Sequence, residues 1–151
     1  TWAMYDLVAE SPPGYSLEKQ QLMAGYIQLA FRKGSNRLII ERWGLANVVL
    51  KNQALREWFN QRAGHDMGQY RSSIEEVDFD GERGLQVSGR RSGIQPMLKS
   101  ASELLTLRKP AACLDGYVWV CEESNKVYSI QSMHSKGEDI LDQVLERIEC
   151  H

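Results

Sequence analysis

Leu114-Asp-Gly-Tyr-Val-Trp-Val-Cys-Glu-Glu-Ser-Asn-Lys-Val-Tyr-Ser-Ile-Gln131 is the stretch whose reading decides the fold. Tyr117 to Cys121 and Lys126 to Ile130 are rich in β-branched and aromatic residues, which suit a pleated, half-buried surface. Glu122-Glu-Ser-Asn125 separates them, and Ser-Asn is turn chemistry, so the spacing predicts a β-hairpin. With Ser124 and Asn125 as the tip, Cys121 pairs with Tyr128 and Trp119 with Ile130. Side chains alternate along a strand, so Tyr117, Trp119, Cys121, Tyr128 and Ile130 share one face of the sheet. The other face carries Val118 and Val120 beside Ser129 and Gln131, a more mixed set.

On the C-terminal side, Ser135-Lys-Gly-Glu138 has the form of a capping box, with Glu138 and Asp139 near a helix's positive end. Ile140, Leu141, Val144, Leu145 and Ile148 follow at helical spacing, and their stripe needs a sheet to cover. The aromatic face of the hairpin is the nearest one. A strand from Lys126 to Met133 runs about 26 Å, and the helix returns roughly 20 Å. Folded back, it brings Cys150 and His151 to the level of Cys121.

On the N-terminal side, Trp2 to Val8 reads as an opening strand closed by the rigid turn Pro12-Pro-Gly14, and Tyr15 to Met23 is polar and ambiguous. Gly25 to Arg32 alternates, with Ile27, Leu29 and Phe31 on one side. Lys33-Gly-Ser-Asn36 turns the chain, and Arg37 to Trp43 returns as a strand. Leu45 to Leu50 is apolar but short. Asn52 is placed to cap a helix running to Ala63, with Leu55, Trp58, Phe59 and Arg62 on one face and Gly64 as its stop. Arg71 to Phe79 and Gly84 to Arg90 form a third strand pair around Asp80-Gly81. Ile94, Met97, Leu98, Ala101, Leu104 and Leu105 fit a helix between Ser92 and Leu107, with Pro96 in its first turn and Pro110 beyond its end.

The fold class read from this order is α+β, an antiparallel sheet of about six strands covered by helices. The 151 residues make a single domain with room for a core. Thr1 in place of an initiating Met suggests excision from a longer precursor. Eighteen basic against 20 acidic residues give a net charge of −2, which offers no global case for nucleic acid or membrane. No apolar run approaches the ~20 residues of a spanning helix and no signal peptide is visible, which favours the cytoplasm. Three cysteines are too few for a disulfide scaffold.

Pro13-Gly14-Tyr15, Arg37-Leu-Ile-Ile-Glu-Arg42 and Trp119-Val-Cys-Glu-Glu-Ser-Asn-Lys-Val-Tyr128, followed by the closing helix, resemble the PsbP-like α/β/α sandwich superfamily. Its members include the extrinsic photosystem subunit PsbP, the Ran-binding factor Mog and prokaryotic proteins of unassigned role. The resemblance covers nearly the whole chain. It implies an antiparallel sheet with helices on both faces and a protein-binding or assembly role rather than catalysis. None of that family's functional residues maps onto this sequence, and the stretch from Ser92 to Pro110 departs from the compact connection expected. A more distant resemblance, to phage tail-tube subunits, rests on the first half alone.

Cys121, Cys150 and His151 form the sharpest constellation, because zinc takes thiolates and imidazoles tetrahedrally. His134, Cys113 or His65 would supply a fourth ligand. A Cys121–Cys150 disulfide is a second reading. The third, which the composition favours, makes Cys121 a small buried apolar residue and Cys150-His151 a frayed end. Nucleophilic catalysis by Cys121 needs His151 or His134 in reach and an orienting group, and a terminal histidine is a poor base. The segment 92–109, with Arg90, Arg91, Lys99, Arg108 and Lys109 against Glu103, offers attachment to an anionic membrane or a partner, or a helix covering the sheet. Glu75, Glu76, Asp78 and Asp80 alternate between faces and read as a solvated edge. His65 has no visible partner. The expectation is a non-catalytic binding or assembly module with a protein partner, no nucleic acid and no cofactor.

Overall fold

The structure, a computed structural model, describes residues 2–4, 7–79, 81–91 and 111–150; for 2–4, 8, 63–66, 149 and 150 it describes the backbone alone. The strands are β1 (Trp2–Met4), β2 (Leu7–Ala9), β3 (Ser16–Met23), β4 (Tyr26–Lys33), β5 (Asn36–Gly44), β6 (Tyr70–Phe79), β7 (Glu82–Arg91), β8 (Cys113–Cys121), β9 (Lys126–His134) and β10 (Glu149–Cys150). The described helices are α1 (Ala46–Val49), α2 (Leu55–Met67) and α3 (Leu141–Leu145). Seven strands form one sheet in the order β3-β4-β5-β9-β8-β7-β6, and β1-β2-β10 form a small second sheet. Every pairing is antiparallel.

The α/β/α sandwich is therefore corrected. With described helices of 4, 13 and 5 residues against ten strands, the architecture is predominantly antiparallel β. Two readings account for the difference. Gly137 adopts φ +85° two residues after Ser135, so the capping box does not close and a turn precedes a helix of barely more than one turn. Ile140 occupies the cap position, and Asp139, one residue earlier, accepts at its Oδ1 from the Leu141 N–H at 2.9 Å. The chain then finishes as β10 on β2 rather than as a helix end. The polar segment after Tyr15 is the edge strand β3, which hides its alternation because most of both faces meets water.

Hairpin β8–β9 keeps its predicted faces but not its register. The turn has four residues, 122–125, with Asn125 at φ 55°, so Cys121 pairs with Lys126, Trp119 with Tyr128 and Tyr117 with Ile130. The shift is by two residues, and a shift by an even number leaves every side chain on its own face. Trp119, Cys121, Tyr128 and Ile130 consequently share one core with Ile27, Leu29, Phe31, Leu38 and Ile40. Leu7 and Ala9 of the small sheet cover that core together with Leu141 and Val144 of α3. The closing helix thus does lie across the aromatic face.

The opposite face holds a second core, in which Leu55, Trp58 and Phe59 of α2 meet Trp43, Leu85, Val87, Val118, Val120 and Val127. Trp58 stands edge-on to Trp43 with centroids 4.7 Å apart, and the Arg62 guanidinium lies 5.8 Å over the Trp58 ring. Asn52 does not cap α2: it sits at φ 64°, Ala54 occupies the cap position, and the helix passes Gly64 to end at Met67. The reading of a helix from Ser92 to Leu107 falls outside the described residues. Among those described, no helix is long and apolar enough to cross a membrane.

Candidate functional site

The second sheet and α3 cover the aromatic face only over its middle and its β3 side. Beyond Trp119 that face runs out of apolar residues. Arg71 and Ser73 of β6, Ser88 and Arg90 of β7, Cys113 and Asp115 of β8 and His134 of β9 lie there side by side. The turn carrying Lys136 and Gly137 rises beside them, and together they line an open cleft of about 370 Å³.

His134 anchors the floor of the cleft, its side chain only 5% exposed. Its Nδ1 lies 2.8 Å from the Ser135 carbonyl oxygen, and its Nε2 lies 2.7 Å from Asp115 Oδ2. A carbonyl and a carboxylate both accept, so this geometry favours the protonated ring, which donates from both nitrogens. Burial pulls the His134 pKa down. The Ser135 and Asp115 hydrogen bonds and the charges of Asp139 and Asp115 outweigh it and leave the pKa above the ordinary 6.5. The loop that supplies Ser135 is itself pinned: Asn36 Oδ1 accepts from the Ser135 N–H at 3.1 Å, and Asn36 Nδ2 donates to Glu138 at 2.6 Å.

A pH dependence follows from this pair. A histidine whose folded pKa is raised stabilises the fold fully below its unfolded pKa, and loses that contribution as pH rises through the folded value. In a chelator-treated sample, the urea midpoint is expected to fall as pH rises from the ordinary histidine value of 6.5 through the raised folded value. Asp115→Asn removes the charge partner and flattens that slope. An equal slope in both proteins contradicts the assignment.

The upper wall is cationic. Arg71 and Arg90 stand directly opposite each other in the β6–β7 register, beside the Ser73–Ser88 pair, whose hydroxyls are 3.0 Å apart. Like charges facing across two strands are destabilising. The same fold has a second such pair, Arg32 opposite Arg37, and there Glu18 bridges both, with its oxygens 2.5 and 2.9 Å from their Nε atoms. No described carboxylate lies within ion-pair distance of Arg71 or Arg90. Arg90 Nη1 donates to Cys113 Sγ at 3.5 Å, and the nearest acid on that face of β6, Glu75, is about 13 Å along the strand from Arg71. With Lys136, which also has no ion-pair partner among the described residues, the cleft carries three cationic side chains, while Asp115 is paired with His134.

Cys113 faces His134 directly across β8 and β9, yet both imidazole nitrogens are occupied by Ser135 and Asp115. The histidine is therefore not free to take a proton from the buried thiol, and a cysteine–histidine dyad is not formed.

Of the sequence-derived constellation, Cys121 is the one member whose side chain is described. Cys121 is a buried free thiol in the aromatic core, at the turn end of the hairpin. Cys113 and His134 sit at the opposite end of β8 and β9, about 26 Å away along the strand, so neither completes a set with Cys121. Cys150 is described as backbone, paired with Leu7, and the His65 side chain and all of His151 lie outside the described residues. The segment 92–109 lies outside them too. Glu75, Glu76 and Asp78 are exposed on the edge strand β6, as expected of a solvated edge. Sequence reasoning missed Asp115, Asp139, Arg71, Ser73, Ser88 and Lys136. The signal for the arginine pair was present, because a two-residue turn at Asp80-Gly81 puts residue 71 opposite residue 90.

Comparison with protein-family models, with curated proteins and with solved structures returns no match.

Proposed function

We propose that this domain is a non-catalytic binding module whose β6–β9 cleft takes the oxyanion group, phosphate or carboxylate, of a small molecule or of a partner protein. The observation that carries the reading is the unbridged Arg71–Arg90 pair, set against the Arg32–Arg37 pair that Glu18 neutralises. A cross-strand repulsion without a counter-ion among the described residues is relieved by an anion from outside. Two guanidiniums offer forked donors that match phosphate and carboxylate oxygens, and Lys136 adds a point charge. The Ser73 and Ser88 hydroxyls lie beside the arginines. A binding role without chemistry agrees with the occupied His134 nitrogens.

Inorganic phosphate and citrate serve as the two probes, titrated calorimetrically. Binding is expected to weaken as salt is raised, and Arg71→Gln is expected to cost about tenfold in affinity, the loss of one charge-assisted contact. Arg32→Gln, at the bridged pair, leaves affinity unchanged. If neither probe binds at low ionic strength, or if Arg71→Gln and Arg32→Gln behave alike, the reading fails.

A further inference from the structure

The acidic side of the same cleft carries a separate observation. Asp115, His134 and Asp139 each bring one donor atom to a common point, all within 4.8 Å of one another. Ligands bound tetrahedrally to one ion at ~2.0–2.2 Å lie about 3.4 Å apart, so the 2.7 Å His134–Asp115 contact opens by about 0.7 Å and the widest pair closes by up to about 1.4 Å. The orienting bonds that such a set needs are in place. The Nδ1–H of His134 is held by the Ser135 carbonyl, which turns Nε2 toward the two carboxylates. Asp139 Oδ1 is held by the Leu141 N–H. A second sign of an absent partner lies beneath. Ser132, fully buried, sits directly opposite Asp115 in the β8–β9 register, and its Oγ has no hydrogen-bond partner among the described residues.

We infer that Asp115, His134 and Asp139 form a site for a divalent first-row metal ion, entered by displacement of the proton between His134 Nε2 and Asp115 Oδ2. One imidazole and two carboxylates suit zinc, cobalt or manganese, and three protein ligands leave coordination positions open. Asp115 is 35% exposed on its side chain and Asp139 is exposed, so the set is reachable from the surface. The ion replaces one proton, and the Nδ1–H stays on the Ser135 carbonyl. Arg71, Arg90 and Lys136 line the far side of the cleft rather than contribute ligands. The metal site therefore does not depend on the oxyanion reading, and either can fail alone.

The test uses the whole chain, chelator-treated, titrated with Co²⁺ by absorption and with Zn²⁺ by calorimetry in two buffers of different ionisation heat. One ion per chain is expected, with release of about one proton below the His134 pKa. The cobalt spectrum is expected to show d–d bands and no thiolate-to-cobalt charge transfer. Asp139→Asn, at an exposed position that leaves the fold intact, is expected to weaken binding at least tenfold; His134→Gln abolishes it, and Arg71→Gln leaves it unchanged. A thiolate band overturns the proposal by assigning the ion to cysteines. Absence of stoichiometric binding, or an unchanged affinity in Asp139→Asn, also overturns it.

Discussion

Trp119→Ala is expected to destabilise the domain by about 4 kcal/mol, a large part of the total stability of a domain this size. Trp119 is 3% exposed and sits in the middle of an aromatic stack. Phe79 lies 4.6 Å away at an interplanar angle of 20°, and Tyr128 lies 5.3 Å away at 14°. The stack bridges the edge strand β6 to the centre of the sheet, across β7. Truncation therefore removes two ring contacts as well as the largest buried side chain on β8. Because Phe79 loses its neighbour, the end of the β6–β7 hairpin loosens with it. Trp119→Phe keeps a ring in place and is expected to cost less than half as much. Urea unfolding is the measurement: the midpoint falls while the slope with denaturant is retained. A loss below about 1 kcal/mol contradicts the placement of Trp119 in a packed core.

The second large effect is expected at Gly116. A Cβ there would lie 2.6 Å from the Ile130 carbonyl oxygen and 3.4 Å from the Gln131 Cα. Both are backbone atoms of β9, so no side chain can swing aside. The strands themselves have to separate. Alanine restricts the unfolded chain and by itself would favour folding by roughly 0.4–1 kcal/mol. The steric cost of about 3 kcal/mol exceeds that gain and leaves a net loss near 2 kcal/mol. Gly116 adjoins Asp115, so the displacement also disturbs the 2.7 Å contact to His134. Gly116→Ala is thus expected to lower both stability and the pH slope described for the Asp115–His134 pair. Gly25→Ala is not a fair control, because Gly25 holds φ +78°. Gly44→Ala is a better one, with its nearest would-be contact at 3.7 Å.

Much of the sheet was legible before any coordinates. Ile27, Leu29 and Phe31 alternate without interruption because β4 is interior, and Asp80-Gly81 marks its hairpin because a two-residue turn needs Gly81 at φ +85°. The aromatic face of β8–β9 was assigned correctly from a register that was wrong by two, since parity and not register decides the face. What escaped was what contradicts local rules. Ser135-Lys-Gly-Glu138 has the letters of a capping box, but Gly137 turns the backbone and Glu138 is claimed by Asn36 from 102 residues away. Edge strand β3 lacks a periodic signal because it lacks a buried face. The site was hidden for a third reason. Asp115, His134 and Arg90 become neighbours only through two successive strand pairings, β7 with β8 and β8 with β9, which no local motif announces.

On the proposed function, a ligand meets this protein at the polar corner of the sheet rather than at its cysteines. Phosphate titrated into isotopically labelled protein, followed by amide and imidazole chemical shifts, tests it most directly. The expected result is saturable movement confined to Ser73, Ser88, Arg90, Asp115 and His134, abolished when Arg71 and Arg90 are both changed to glutamine. Shifts centred on Cys121 and the β8–β9 turn, or an unaltered response in the double variant, would contradict it.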